Sequence, residues 1–170
     1  MKNIIFLIGL PGSGKSTLIK HYLNHPFLEF KIYDDWSTGW KSELKFNECA
    51  LYPSLIEDIK NNKSIIISTI DFCNNEYLLE SENYLKSKFK NIKIERIYWE
   101  NNLDASIKNI YKRDKKRGEH YKWCDEKKEN WYYGLHYDGK AQFKWEIEWA
   151  EKLSKVYTIP SNYSTFPIKT

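Results

Sequence analysis

The residues best suited to chemistry form a glycine-rich run near the start of the chain, Gly9 to Thr17. This run fits the pattern G-x-x-x-x-G-K-[ST], and it stands between an apolar stretch typical of a strand and a helix-like stretch. In such a loop the backbone N–H groups surround phosphate oxygens, Lys15 reaches the β and γ phosphates, and Ser16 ligates Mg²⁺. The run therefore predicts an ATP site with Mg²⁺, whose binding residues are Gly12, Ser13, Gly14, Lys15, Ser16 and Thr17.

An acidic pair, Asp34 and Asp35, ends the second apolar stretch. Phosphoryl transfer to a hydroxyl needs a carboxylate that accepts the hydroxyl proton and aims the oxygen at the γ-phosphate. Ligands of open parallel sheets bind outside the carboxyl ends of the strands, so the pair is expected beside the glycine-rich run if the second strand lies on that side. Either aspartate could be the base, or the pair could form an ordinary helix-capping turn.

The third apolar stretch, residues 64–68, ends without an acid. Thr69 follows it, and Asp71 comes two positions later. A carboxylate here could hold the metal through water, or Asp71 could be an ordinary residue of a first helical turn.

A basic segment is expected to form a lid over the phosphates. Residues 108–128 carry a net charge of +5, whereas the rest of the chain carries −1. Two of the three arginines, Arg113 and Arg117, lie four residues apart and so share one helix face. A guanidinium binds phosphate oxygens through two parallel hydrogen bonds, which lysine cannot do. The pattern predicts a helical lid at about 104–128 in which both arginines contact phosphate.

The hydrophobic pattern predicts the strands and helices that carry these residues. Short apolar stretches alternate with longer helical ones, and several are apolar on both faces, as in the buried strands of a parallel sheet. This pattern predicts a three-layer α/β P-loop NTPase fold with a five-stranded parallel sheet and helices on both faces. Strands are expected at 3–8, 29–33, 64–68, 92–99 and 155–159, and helices at 15–24, 46–62, 75–89 and 103–116.

Length and composition favour one domain over residues 1–170. At 41% hydrophobic and 16% aromatic residues the chain can bury a sizeable core. The three cysteines are far apart and form no Cys-x-x-Cys pair. We find no signal-peptide or transmembrane pattern, so the sequence predicts a cytoplasmic protein with no membrane partner.

Three motifs within residues 1–120 resemble one family. The opening strand with its glycine-rich run, the Asp-Asp-Trp segment and the Lys-Arg-Asp-Lys-Lys-Arg-Gly segment are similar to the kinase domain of bacteriophage polynucleotide 5′-kinases. These belong to the small P-loop kinases that include zeta toxins and nucleoside kinases. The resemblance implies that Asp34 is the general base and that Arg113 and Arg117 contact the nucleotide phosphates. Together with the motifs themselves, this gives Asp34, Asp35, Lys15 and Arg117 as the candidate catalytic residues.

Two positions depart from the family pattern. Ser37 stands where the family has an arginine that activates the phosphoryl group, and Thr69 stands where it has an acid. The departures leave kinase chemistry better supported than the polynucleotide acceptor.

An aromatic-rich stretch, residues 121–149, could stack bases, with Trp123, Trp131 and Tyr133 as the candidates. Part of it follows the spacing of a helix core, since Trp145 and Trp149 lie four residues apart.

The expected function is transfer of the γ-phosphate of ATP to a hydroxyl, that of a single-stranded nucleic-acid end or a nucleotide. Two alternatives stay open: a kinase of a small metabolite such as a sugar, nucleoside or antibiotic, and a non-catalytic ATP-binding regulatory protein.

Overall fold

The computed structural model describes residues 2–23, 30–34, 36, 45–49, 51–113 and 139–170, with the backbone alone over 139–145. The strands are β1 (Lys2–Ile8), β2 (Phe30–Tyr33), β3 (Ser64–Ser68), β4 (Ile92–Trp99) and β5 (Thr165–Phe166). The helices are α1 (Lys15–Leu23), α2 (Tyr52–Lys60), α3 (Asn75–Lys88), α4 (described over 103–113) and α5 (Gly139–Ser154). Two 3₁₀ helices cover Phe46–Glu48 and Ile70–Cys73.

All five strands belong to one parallel sheet in the order β2-β3-β1-β4-β5. The central strand β1 is apolar on both faces, because Ile4 and Phe6 pack on one side and Ile5 and Leu7 on the other. The predicted α/β class with a five-stranded parallel sheet is confirmed.

Helices cover both faces of this sheet. On the face of Phe6, the core includes Leu55 of α2 and Leu78 of α3, and the Phe6 ring stacks on Phe72 at 4.5 Å. On the opposite face, Ile19 of α1 and Ala105 of α4 pack against the strands. The helices that follow β1 and β3 therefore lie on opposite faces of two neighbouring strands.

The fifth strand lies elsewhere than the pattern predicts. Residues 155–159 form a turn and irregular chain, and the strand beside β4 is Thr165–Phe166. The physical reason is Tyr157, which is buried and whose hydroxyl, with its single hydrogen, lies between the carbonyls of Trp99, at 2.5 Å, and Ile8, at 3.1 Å. The segment thus crosses the end of the sheet instead of extending it.

The helix expected over 46–62 is also divided. A 3₁₀ helix ends at Glu48, and α2 begins at Tyr52. Pro53 lies in the first turn of α2 because proline lacks the N–H that a helix interior requires.

An ion-pair group holds α3 against β4. Arg96 Nε of β4 donates to Glu82 of α3 at 3.0 Å, and Lys86 Nζ donates to the same carboxylate at 2.6 Å. Burial raises the pKa of Glu82, but the hydrogen bonds from Lys86 and Arg96 outweigh it, so the pKa lies below its ordinary value. The carboxylate is therefore ionised in the folded protein near neutral pH.

Within the described part of the chain, no helix is long and apolar enough to cross a bilayer.

Candidate functional site

A glycine-rich loop joins the carboxyl end of β1 to the first turn of α1. Gly12 and Gly14 adopt φ values of +79° and +105°, a region that side-chain-bearing residues rarely occupy. The Ser13 N–H donates to the Leu10 carbonyl at 3.1 Å, which closes a tight turn within the loop. The two glycines are therefore required by the backbone path itself.

The loop is packed tightly against its neighbours. A Cβ atom on Gly12 would lie 2.4 Å from the carbonyl oxygen of Ser106 in α4. A Cβ atom on Gly9 would lie 3.0 Å from Cβ of Trp99, at the end of β4. Alanine at either position would force backbone or packed side chains to move, so α4 and β4 define the loop's shape.

Lys15 brings the positive charge of the site. It is only 8% exposed, and its ammonium donates to the carbonyls of Gly9 at 2.5 Å and Leu10 at 2.9 Å. The side chain is thus folded back over the loop that it follows. A cation in this position, at the start of α1, provides a centre for binding anions together with the helix N-terminus.

Asp34 reaches the loop from two strands away. Strand β3 separates β2 from β1, so the second strand does not neighbour the first. The Ser16 hydroxyl nevertheless donates to Asp34 Oδ2 at 3.0 Å. A hydroxyl and a carboxylate in contact are oxygen ligands of the type that Mg²⁺ prefers. Among the described residues, no group of three or more His, Cys, Asp or Glu side chains could hold a metal by itself.

A buried tryptophan fixes the segment that carries Asp34. Trp36 is fully buried, stacks on Phe46 at 4.9 Å and donates its backbone N–H to the Ser68 carbonyl at 3.1 Å. On the other side, Tyr33 is buried and donates its hydroxyl hydrogen bond to Asp58 at 2.7 Å. The aspartate therefore lies between two anchored aromatic residues. The sequence shows an aromatic residue on each side of the acidic pair. The positions of these aromatic residues do not by themselves indicate that they anchor the segment.

The end of β3 is closed by a local turn. The Thr69 hydroxyl donates to Asp71 Oδ2 at 3.2 Å and accepts the Asp71 N–H at 3.2 Å. Asp71 lies in the first turn of the 3₁₀ helix that follows, as expected if it is an ordinary residue of a first helical turn.

Cys73 lies close to the loop but is unsuited to nucleophilic chemistry. Burial raises the pKa of its thiol to about 12, although the charge of Lys15 acts in the opposite direction. The thiol therefore stays protonated at neutral pH and serves to pack the core.

Arg113 contacts a carboxylate of α5. Its guanidinium forms an ion pair with Glu146, whose side chain is 10% exposed. This contact joins α4 to α5. Arg117, Asp35, Ser37 and the greater part of the segment expected as a lid lie outside the described residues, as do Trp123, Trp131 and Tyr133.

Two side chains near the loop have no signal in the sequence. Asn109 of α4 donates to the Gly12 carbonyl at 3.0 Å across 97 positions of the chain. Tyr157 donates to the Ile8 carbonyl at 3.1 Å across 149 positions. Contacts this distant follow no periodicity or spacing pattern, so only the folded structure reveals them.

A scan against protein-family models found no match, and a search of curated proteins found none either. A function for this chain must therefore be inferred from the site itself.

Proposed function

We propose that this chain is a P-loop kinase that transfers the γ-phosphate of ATP to a hydroxyl group, with a polynucleotide or nucleotide 5′-hydroxyl as the acceptor. The observation that carries the proposal is the 3.0 Å hydrogen bond between Ser16 and Asp34. Ser16 lies in the first turn of α1, directly after Lys15, and Asp34 follows β2. A phosphate-binding loop and a carboxylate suited to proton transfer thus share one site.

The sheet topology supports this interpretation. In open α/β sheets, ligands bind at the carboxyl ends of the strands where successive helices pass to opposite faces. Here β1 and β3 are neighbours, and the helices that follow them, α1 and α3, pack on opposite faces. The glycine-rich loop and Asp34 both lie at this edge.

Each residue of the site has a defined task in the proposed reaction. The N–H groups of the loop and the Lys15 ammonium bind the phosphate oxygens and offset their charge. Asp34 orients the acceptor hydroxyl and takes its proton as the oxygen bonds to the γ-phosphorus and the bond to ADP breaks. Mg²⁺, held through Ser16, would neutralise charge on the β and γ phosphates.

A second function is favoured by one observation. β3 is followed by Thr69, whose hydroxyl donates to Asp71, at a place where P-loop enzymes commonly carry a metal-orienting acid. A protein that binds ATP as a regulatory ligand without transferring phosphate needs no such acid.

The test is a transfer assay with γ-labelled ATP and Mg²⁺, run against oligonucleotides, nucleotides, nucleosides and sugars. We expect label on the nucleic-acid or nucleotide acceptor and no label with Lys15→Ala. An Asp104→Asn variant, exposed on α4, is the control for a general loss of activity and should label like wild type. Label only on a small metabolite would change the substrate class. ATP binding without any transfer would favour the regulatory protein, and no ATP binding would refute the nucleotide site.

A further inference from the structure

We propose that Asn109 is a positioning residue that clamps the glycine-rich loop in its phosphate-binding shape, an inference that rests on the proposed nucleotide site. Asn109 lies on α4, within the segment expected as a lid but outside the three motifs that carry the family resemblance, and is partly buried. Its side-chain amide donates to the Gly12 carbonyl at 3.0 Å and to the Lys169 carbonyl at 2.9 Å. An asparagine amide has two hydrogens, so it can supply one to each carbonyl.

The clamp acts on the most adaptable point of the loop. Glycine reaches conformations on both sides of φ = 0 at little cost, so the peptide group after Gly12 is the one most easily reoriented. Asn109 holds the oxygen of that peptide group, and the Leu10 carbonyl accepts its N–H, which belongs to Ser13, at 3.1 Å. Because a peptide group is planar, fixing both ends fixes its orientation and so directs the N–H groups that follow.

The surroundings leave the loop little room to relax. The Ser106 carbonyl and the fully buried Ile110 lie directly against Gly12 and come from the same face of α4 as Asn109. The second carbonyl that Asn109 holds belongs to an anchored segment. Ile168 in that segment is buried, and its N–H donates to Glu100 at 2.9 Å. The amide thus joins three anchored parts of the chain at the loop.

A loop held in this way binds phosphate without first paying the cost of ordering its N–H groups. Loss of the clamp should therefore weaken ATP binding more than it slows the chemical step. The expected signature is a raised KM for ATP with a much smaller change in kcat.

Two substitutions separate hydrogen bonding from packing. Asn109→Ala removes the amide, and we expect about a tenfold rise in the Kd for MgATP, the usual worth of such hydrogen bonds. Asn109→Asp keeps the shape but turns a donor into a charged acceptor that faces two carbonyls. The clamp predicts that the aspartate variant binds ATP more weakly than the alanine variant, whereas simple space filling predicts the reverse order.

The matched control is Asn102→Ala, at the start of the same helix. The Asn102 side chain accepts the Ala105 N–H at 3.1 Å, so its loss weakens α4 without removing a contact to the loop. Calorimetric ATP titrations and thermal melts of all variants should show a lower Tm for Asn102→Ala with an unchanged Kd. If Asn109→Asp does not fold, Asn109→Ala is compared with this control alone.

The inference is overturned if wild type binds MgATP and the Asn109 variants bind it equally well. It is also overturned if alanine is worse than aspartate, or if Asn102→Ala weakens binding as much as Asn109→Ala. If wild type itself does not bind MgATP, the proposed function fails, and the inference fails with it.

Discussion

Asp34, the proposed general base, is held in place by its neighbours. The anchored Tyr33 and Trp36 fix the backbone around it, and Ser16 bonds to its carboxylate at 3.0 Å. Such preorganisation means that a small chemical change at the carboxylate should alter catalysis without altering the fold.

Substitution Asp34→Asn should lower kcat by about 10² to 10⁴, the usual worth of a positioned base. The amide oxygen of asparagine can still accept from Ser16, so the Kd for MgATP should stay near the wild-type value. Steady-state kinetics together with calorimetry measure both quantities. A variant with wild-type kcat would show that this carboxylate is not the base, and Asp35 would be the next residue to test.

The sequence reveals the residues of the site better than the contacts that position them. Lys15 and Ser16 are candidates because the glycine-rich pattern demands those residue types at those places, whereas the family resemblance alone selects Asp34 over Asp35. Asn109 and Tyr157 could not be identified in this way, because each acts through a backbone carbonyl that is distant in sequence and has no identifying residue type.

Helix α4 contacts the glycine-rich loop through Asn109 and contacts α5 through Arg113. Arg113 has two candidate roles, one in holding the helices together and one in binding phosphate. Its guanidinium pairs with Glu146 in the structure, whereas the family resemblance gives it a role on the nucleotide phosphates. Both roles can be tested by substituting each partner of the ion pair separately.

We expect Arg113→Ala to raise the KM for ATP and to lower the free energy of unfolding by about 1 to 2 kcal/mol, since it removes the guanidinium that pairs with Glu146. Glu146→Gln should also destabilise the fold but should not raise the KM. Urea denaturation and ATP kinetics on both variants and on the double variant separate the effects. Equal increases in KM from both single variants would limit Arg113 to holding the two helices together.

The ion-pair group between α3 and β4 makes stability depend on pH. The folded pKa of Glu82 is depressed, so the ionised carboxylate stabilises the fold above the unfolded pKa of about 4.3, and this stabilisation is lost as the pH falls through the folded value. Glu82→Gln should therefore cost about 1 to 2 kcal/mol at pH 7 and much less at pH 3. Urea unfolding at both pH values measures the difference. An equal loss of unfolding free energy at the two pH values would show that Glu82 acts by shape alone. The control is Glu80→Gln, on the exposed side of α3.

Elements that are buried on both faces were predictable, and short exposed ones were not. Strands β1 and β3 lie within one residue of their expected positions because their residues are apolar on both sides of the sheet. Strand β4 also lies where expected, although charged residues such as Lys93 and Glu95 alternate with its isoleucines. β5 has two exposed residues, which leave no hydrophobic pattern to detect.

At the scale of the whole molecule, the strand order is what brings the site together. The alternation of strands and helices predicts a parallel sheet, but it does not specify that β3 lies between β1 and β2. That order depends on how the helices pack over the sheet, and no single segment encodes it. With it, residues 18 positions apart meet at one edge of the sheet.

Positive charge is unevenly distributed along the chain. If the acceptor is a nucleic-acid end, the +5 segment 108–128 should bind backbone phosphates and release counterions. Contact with about two or three phosphates predicts a slope near −2 for log affinity against log salt on a single strand. Neutralising Lys115 and Lys122 should reduce the magnitude of this slope by about one unit while leaving the KM for ATP unchanged. Fluorescence anisotropy of a labelled oligonucleotide measures the slope, and no binding even at low salt would remove nucleic acid as the acceptor.

In the proposed reaction, the glycine-rich loop and Asp34 together transfer phosphate to a hydroxyl. Its most direct test follows label from γ-labelled ATP to a single-stranded oligonucleotide that carries a 5′-hydroxyl, beside the same oligonucleotide with a 5′-phosphate. We predict that wild type labels the 5′-hydroxyl strand alone and that Asp34→Asn, although it still binds ATP, labels it at least about 100-fold more slowly. Label on neither strand, or equal label from the Asp34→Asn variant, would contradict the account.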